Sequence, residues 1–307
     1  MRRPKWHAAR SFVATDEPTG PCSTAKALDQ RDSVAFHLSN KERTAYARDG
    51  FLFPLPALSA EEVVTVRQSI ESFEHSLGGP LPKELRHKPH LYSSTIDALI
   101  RKPEILDPVE SLLGPDILCW ETVLFIKEPG DEAYVSWHQD VAYWGLEPYD
   151  VLTAWVALSP STRRSGCMRV LPGSQKGEIA RHKDTFAKNN MLSRGQEMQV
   201  EVDETQVVDI ELQPGQMSLH HVMIAHGSDP NHADDRRIGL AIRYIPAHVR
   251  QVIGRQDTAT VVRGADRNAH FQAEPRPAGD FRPEGLEVQR LLRAQRMAVL
   301  MRSMEPS

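Results

Sequence analysis

Tyr134-Val135-Ser136-Trp137-His138-Gln139-Asp140-Val141-Ala142-Tyr143-Trp144 is the stretch on which the fold turns. Aromatic and β-branched residues punctuate it and a Pro129-Gly130 turn precedes it, so it reads as a strand. Alternate side chains of a strand share a face, which sends His138 and Asp140 to one side and Gln139 to the other. An imidazole and a carboxylate so placed lack only one histidine from a distant strand to make a facial metal triad. That donor set suits non-haem Fe(II), because it leaves the opposite coordination positions open.

The pattern His-x-Asp alone carries little weight in a chain with 13 histidines, and it recurs at His182/Asp184 and His232/Asp234. Both of those pairs read as solvated loop: the first lies in a charged segment, the second among the turn residues from Asp229 to Asp235. The third donor is sought further on. A run from Gly215 to Ala225, launched by Pro214-Gly215, reads as a strand ending at His226, where Gly227-Ser228 break it. His220 and His221 compete with His226 as donors and are read as structural, since neither is followed by the Gly-Ser pair.

The next strand, Arg237 to Tyr244, has two unlike faces. Ile238, Leu240, Ile242 and Tyr244 form a bulky side suited to a second layer. Arg237, Gly239, Ala241 and Arg243 put two guanidinium groups on the other side with small residues between them. A planar guanidinium fork matches a carboxylate, so this face reads as an anion anchor in a cavity, or else as two exposed arginines.

Further strand-like runs are short and many: Ile117–Ile126, Val135–Ala142, Val151–Leu158, Met168–Leu171, Val200–Val202, Val207–Leu212, Met217–Ile224 and Ile238–Tyr244. Helical patterns at Lys41–Arg48 and Ala60–Leu77 precede them, and an amphipathic one at Glu284–Met301 follows. The expected fold is mainly β with flanking helices, a cupin-like jelly roll of two sheets with its core over about residues 115–250. The last helix is expected over about residues 284–301, packed on the sheet or on a second copy in a homodimer. Residues 1–36 mix Arg2, Arg3, Lys5 and Arg10 with Asp16, Glu17, Pro18 and Gly20 without periodicity. They read as a disordered extension, leaving residues 37–307 as a single domain.

Composition excludes several partners. A net charge of −4 in 307 residues, without a basic stripe, argues against nucleic acid. No apolar run approaches the length needed to span a bilayer. The cysteines, Cys22, Cys119 and Cys167, are odd in number and lack metal-finger spacing, which suggests free thiols in a reducing, cytoplasmic setting.

Three blocks together resemble the phytanoyl-CoA dioxygenase family of Fe(II)/2-oxoglutarate oxygenases. They are Phe125-Ile126-Lys127-Glu128-Pro129 with Ser136 to Asp140, then Ser165-Gly166-Cys167-Met168-Arg169-Val170-Leu171-Pro172-Gly173-Ser174, then His226-Gly227-Ser228 with Arg237 eleven residues past the histidine. The opening Leu38-Ser39 to Gly50-Phe51-Leu52 is also similar, so the likeness covers roughly residues 38–255. It implies a double-stranded β-helix fold. It also implies Fe(II) on His138, Asp140 and His226, with 2-oxoglutarate chelating the iron and its far carboxylate on Arg237. Ser228 and Lys127 are candidates to assist Arg237. The implied reaction consumes O₂ and 2-oxoglutarate, releases succinate and CO₂, and hydroxylates an aliphatic C–H of a small molecule. Related halogenases carry Ala or Gly at the metal carboxylate, so Asp140 points to hydroxylation.

Candidates for the substrate wall are Trp137, Tyr143 and Trp144 beside the triad, and Thr153 and Trp155 on one strand face. Arg243, which shares a face with Arg237, favours an acidic substrate. The sequence does not distinguish a free metabolite from an acyl thioester or a carrier-bound group. The rival class is a cupin-like metal-binding isomerase or binding module, which would keep the histidines without needing Arg237.

Overall fold

The computed structural model describes residues 36–253 and 257–302. The extension expected over residues 1–36 lies outside the described residues apart from Phe36. Helices α1 (Asn40–Asp49) and α2 (Ala60–Leu77) each begin with a reciprocal cap, Ser39 with Glu42 and Ser59 with Glu62. Gly50 ends α1 at φ 86°, a left-handed conformation that turns the chain directly into β1 (Phe51–Pro56). Helices α3 (Ser94–Leu99) and α4 (Pro103–Leu113) complete the N-terminal set.

The strands follow as β2 (Ile117–Lys127), β3 (Val135–His138), then the one-turn helix α5 (Val141–Trp144), β4 (Leu146–Glu147), β5 (Leu152–Ala157) and β6 (Met168–Val170). Next come β7 (His182–Asp184), β8 (Gln196–Met198), β9 (Val208–Ile210), β10 (Gln216–His221), β11 (His226–Ser228) and β12 (Arg237–Pro246). Strands β13 (Arg250–Gln251), β14 (Thr258–Arg263) and β15 (Gln272–Ala273) lead to the last helix, α6 (Pro283–Arg302). A seven-stranded sheet runs β1-β10-β5-β12-β2-β14-β15 and a four-stranded sheet runs β3-β11-β6-β9. Trp155 and Ala241 of the large sheet pack with Met168, Val170 and Ile210 of the small one. The fold is the jelly roll expected from the sequence.

The two faces of β12 separate as its alternation requires. Ile238, Leu240, Ile242 and Tyr244 join Leu124, Ile126 and Leu219 against Val66, Ile70 and Phe73 of α2 and Ile105 and Val109 of α4. Each such buried side chain stabilises the fold by about 1.5–3 kcal/mol. The helices thus clamp the outside of the large sheet and leave its inner face free to line a cavity.

Four local expectations need correction. The run Tyr134–Trp144 is not one strand: β3 stops at His138, and Asp140 has helical backbone angles at the N-cap of α5. The two donors converge because the chain turns after His138, and not because they share a strand face. His182–Asp184 is not loop but strand β7, paired with β8, and His182 is packed against Tyr143 at 5.4 Å between ring centroids. The local strand over this region is Gln196–Met198, with none at 200–202. Finally, β10 ends at His221, and His226 begins its own strand in the other sheet. Apolar composition continues through 222–225, so pattern alone could not show the chain crossing between sheets there.

Candidate active site

Strands β3 and β11 are antiparallel neighbours, and their register sets His138 directly opposite His226. Asp140 arrives from the turn after β3, and one ligand atom from each of these three buried residues lies within 4.8 Å of the others. The Asp140 carboxylate oxygens stand 3.3 Å from His138 Nε2 and 4.0 Å from His226 Nε2. Metal–ligand bonds of about 2.0–2.2 Å bring adjacent ligand atoms to separations of about 3 Å, so an ion fits between the three with small adjustments.

The ring nitrogens are oriented for this. His138 Nδ1 donates to the carbonyls of Ser136 at 2.9 Å and His226 at 3.1 Å, and His226 Nδ1 donates to the Ile224 carbonyl at 3.0 Å. A carbonyl only accepts, so Nδ1 carries the proton on each ring and the Nε2 lone pair is left for a cation. Burial, with His138 nearby, pushes His226 down to about 4. Burial also pushes the Asp140 carboxyl upward, but the adjoining His138 and His226 rings and the Arg243 charge outweigh it and hold the group well below its usual range. An ionised carboxylate beside two imidazole nitrogens is a donor set that a divalent metal takes.

A chamber extends inward from the triad, lined by Phe125, Thr153, Trp155, His220, Ser228 and Arg237 among others. Arg237 is 2% exposed, and its Nη1 donates to the Gly166 carbonyl at 2.9 Å. Its guanidinium lies 5.2 Å from the Trp155 ring centroid, while its Nε has no hydrogen-bond partner. No carboxylate pairs with it among the described residues. Burial lowers its pKa only to about 10, so it remains a cation without a counter-ion. Thr153 Oγ1 and His220 Nδ1 around the same chamber are also buried without partners. Orphaned polar atoms converging on one cavity mark the place of a polar ligand. Gly239 is required here: a Cβ at this position would sit 1.9 Å from the Trp155 ring.

Lys127 is the register partner of Arg237, but it does not line the chamber. Its ammonium is held behind Ser228, donating to Ser228 Oγ at 2.7 Å and to the Asp229 carbonyl. Burial and the neighbouring Arg237 push Lys127 down to about 6.

A second, outer chamber adjoins the first, sharing His138, Asp140 and Arg243 with it. Of the aromatic candidates, Tyr143 and Trp144 line it, whereas Trp137 points away and lies under the Arg169 guanidinium at 5.8 Å. Arg243 lines both chambers and stacks 4.3 Å from the Trp144 ring centroid. Sequence reading missed Glu121, Arg293 and Arg296, which also line the outer chamber. Alternation along β2 was a usable signal for Glu121, six residues before Lys127 and therefore on the same face. The arginines come from α6, which packs on its own chain: Gln289 Nε2 donates to the carbonyls of Glu84 and His87. No described helix is long and apolar enough to cross a membrane.

A family model described as phytanoyl-CoA dioxygenase matches residues 46–239. A probable alpha-ketoglutarate-dependent hypophosphite dioxygenase of Stutzerimonas stutzeri is 30% identical over 233 residues, 70% of this chain and 81% of that protein. An L-proline trans-4-hydroxylase of Streptomyces griseoviridis is 28% identical over 260 residues, covering 73% of this chain and 96% of that one. Among solved structures, the non-heme monooxygenase ThoJ in its apo form superposes with a TM-score of 0.75 at 35% identity, over 85% of this chain and 98% of that one.

Proposed function

The chain belongs to the phytanoyl-CoA dioxygenase family and is a 2-oxoglutarate-dependent non-haem iron dioxygenase. From that premise we propose that His138, Asp140 and His226 hold the iron and that the inner chamber receives 2-oxoglutarate. When bound, iron and 2-oxoglutarate supply the oxidising chemistry, in which O₂ is reduced, 2-oxoglutarate becomes succinate and CO₂, and an aliphatic C–H of the substrate is hydroxylated. The observation that carries the assignment is the buried Arg237, a cation with an unpartnered Nε facing the triad's chamber.

The residues divide the remaining work. Arg237 takes the far carboxylate of 2-oxoglutarate, with Trp155 fixing the plane of the guanidinium. Ser228 presents its hydroxyl beside that carboxylate, and Lys127 behind it fixes the hydroxyl's direction. Phe125, Met168 and Leu192 exclude water from the space around the triad. Asp140 would hold the metal at the position that the related halogenases leave to a halide, which favours hydroxylation over halogenation. The substrate enters from the outer chamber, past Tyr143 and Trp144, as a small metabolite whose acidic group meets Arg243. Residues 37–307 act as one domain, supported by α6 bonding back to the segment between α2 and α3 and by Arg296 of α6 stacking on Trp120 of β2. The buried free thiols Cys119 and Cys167 support a reducing, cytoplasmic setting.

The test is turnover without added substrate. Wild-type protein given Fe(II), 2-oxoglutarate and O₂ should release succinate slowly, and His138→Ala should release none. Succinate release that persists in His138→Ala, or a wild type that never consumes 2-oxoglutarate, overturns the assignment in favour of a cupin-like module.

A further inference from the structure

The outer chamber carries charges that the chain itself leaves unmatched. Lys88 at its wall is paired with Glu274, and Arg296, although its Nη1 lacks a hydrogen bond, has Asp257 at 3.7 Å and the Trp120 ring at 4.2 Å. Asp140 belongs to the triad. Three charged groups remain: Glu121, Arg243 and Arg293. Each has a buried side-chain atom without a hydrogen-bond partner, namely Glu121 Oε1, Arg243 Nε and Arg293 Nε. Within 4.0 Å only His87 Nδ1, at 3.9 Å, reaches the Glu121 carboxylate among the described residues, with Lys88 and Arg296 acting on it from farther off.

The pairing of strands sharpens this. Arg243 and Glu121 are direct register partners across β12 and β2, on the inner face. Opposite charges so placed have Cβ atoms about 4.5–5.5 Å apart and ordinarily join. Here they do not: Arg243 stacks on Trp144, and no ion pair joins it to Glu121 within 4.0 Å. A buried carboxylate and a half-buried arginine with a buried, unpartnered Nε, held apart on neighbouring positions, bracket a space for a ligand that carries both complementary charges.

We propose that the outer chamber is a subsite for an amino-acid-like zwitterion, its carboxylate shared by Arg243 and Arg293 and its ammonium on Glu121, with its aliphatic chain directed at the triad. Adjacent strand positions set the two recognition groups one residue pair apart, which suits an ammonium and a carboxylate on the same carbon. Two cations for one carboxylate and one anion for one ammonium engage Glu121, Arg243 and Arg293 together. This rests on the metal and co-substrate reading above and narrows its substrate from an acidic molecule to a zwitterionic one.

The experiment uses the full chain loaded anaerobically with Fe(II) and 2-oxoglutarate, so that binding proceeds without turnover. Alanine, norvaline, norleucine and phenylalanine are titrated against their deamino acids and their decarboxylated amines. Tryptophan fluorescence reads binding, since Trp144 and Trp120 stack on arginines of the chamber. At least one amino acid should bind about tenfold or more tighter than both of its single-charge counterparts. Glu121→Gln should erase the preference over the deamino acid, and Arg293→Gln should weaken both acids alike. The visible band of the iron–2-oxoglutarate chelate should survive in both variants. Absence of that band in the wild type would fail the underlying reading. An intact band with acids or amines bound as tightly, with no amino acid bound, or with the preference surviving Glu121→Gln overturns the zwitterion proposal alone.

Discussion

The two chambers that adjoin at the triad are built from the same strand face yet in opposite styles. Arg237 and Arg243 both project inward from β12, with Gly239 and Ala241 between them. Around Arg237 everything comes from sheet strands and their adjoining loops: Lys127 from β2, Trp155 from β5, Ser228 from β11 and the Gly166 carbonyl just before β6. Around Arg243 the β2 residues Glu121, Val123 and Phe125 are joined by walls from α5, from α6 and from the segment containing Met191 and Leu192, the last of which reaches the inner chamber as well. The inner site is therefore as rigid as the sandwich that makes it, whereas the outer site depends on pieces docked onto its rim. That division fits a chemistry common to a family on the inside and a substrate choice particular to this chain on the outside.

Substitutions can break this contrast, beginning with the triad. His138→Ala or Asp140→Ala should remove metal binding and turnover together, read by equilibrium dialysis with Fe(II) and by succinate release. Arg237→Ala comes next. Truncating one side of a buried charge pair costs about 2–5 kcal/mol, so the 2-oxoglutarate concentration for half-saturation should rise by roughly 30-fold or more. An unchanged requirement would remove Arg237 from the anchor. Gly239→Ala should cost about 1–3 kcal/mol of stability by overpacking and weaken 2-oxoglutarate as well, because the new methyl displaces Trp155 from the guanidinium. Urea midpoints and co-substrate titration read the two effects on one sample.

Lys127 offers a test in pH. In the unfolded chain it holds its proton to about pH 10, and in the folded chain burial makes it release the proton near 6. The unfolded state binds the extra proton between those values, so this group makes stability rise with pH from about 6 to about 10. Lys127→Met should flatten that rise in denaturation midpoints measured at pH 6 and pH 9, and a slope equal to the wild type's would show Lys127 charged in the fold. The smallest effect is expected at the rim. Gln289→Ala removes the two hydrogen bonds from α6 to the Glu84 and His87 carbonyls. It should cost about 1–3 kcal/mol and loosen the outer chamber, while 2-oxoglutarate binding stays as in the wild type.

The same contrast explains what the sequence disclosed. The inner chamber was legible because strand alternation is a local rule: the small residues between Arg237 and Arg243, and the bulky ones opposite, report their faces without knowledge of the partners. His226 was found by its Gly-Ser neighbour and not by its strand, since the crossing from β10 to β11 leaves no trace in an unbroken apolar run. Asp140 was assigned for a reason the fold does not use, because the end of β3 and the start of α5 share residues that favour either state. Trp137 alternates away from the cavity as that face of β3 must, and only tertiary packing sets it under Arg169. The outer chamber stayed hidden for a different reason. Arg293 and Arg296 lie far from Glu121 along the chain, and an amphipathic pattern says that a helix packs without saying on what.

One titration tests the separation of the two chambers most directly. Under anaerobic conditions, Fe(II) and 2-oxoglutarate are added to the wild type, His138→Ala, Arg237→Ala and Arg293→Gln, and the visible charge-transfer band of the chelate is followed. The account predicts a band in the wild type, none in His138→Ala, one reached only at much higher 2-oxoglutarate in Arg237→Ala, and an unchanged titration in Arg293→Gln. A band that ignores Arg237 or His138, or that fails with Arg293, would contradict it.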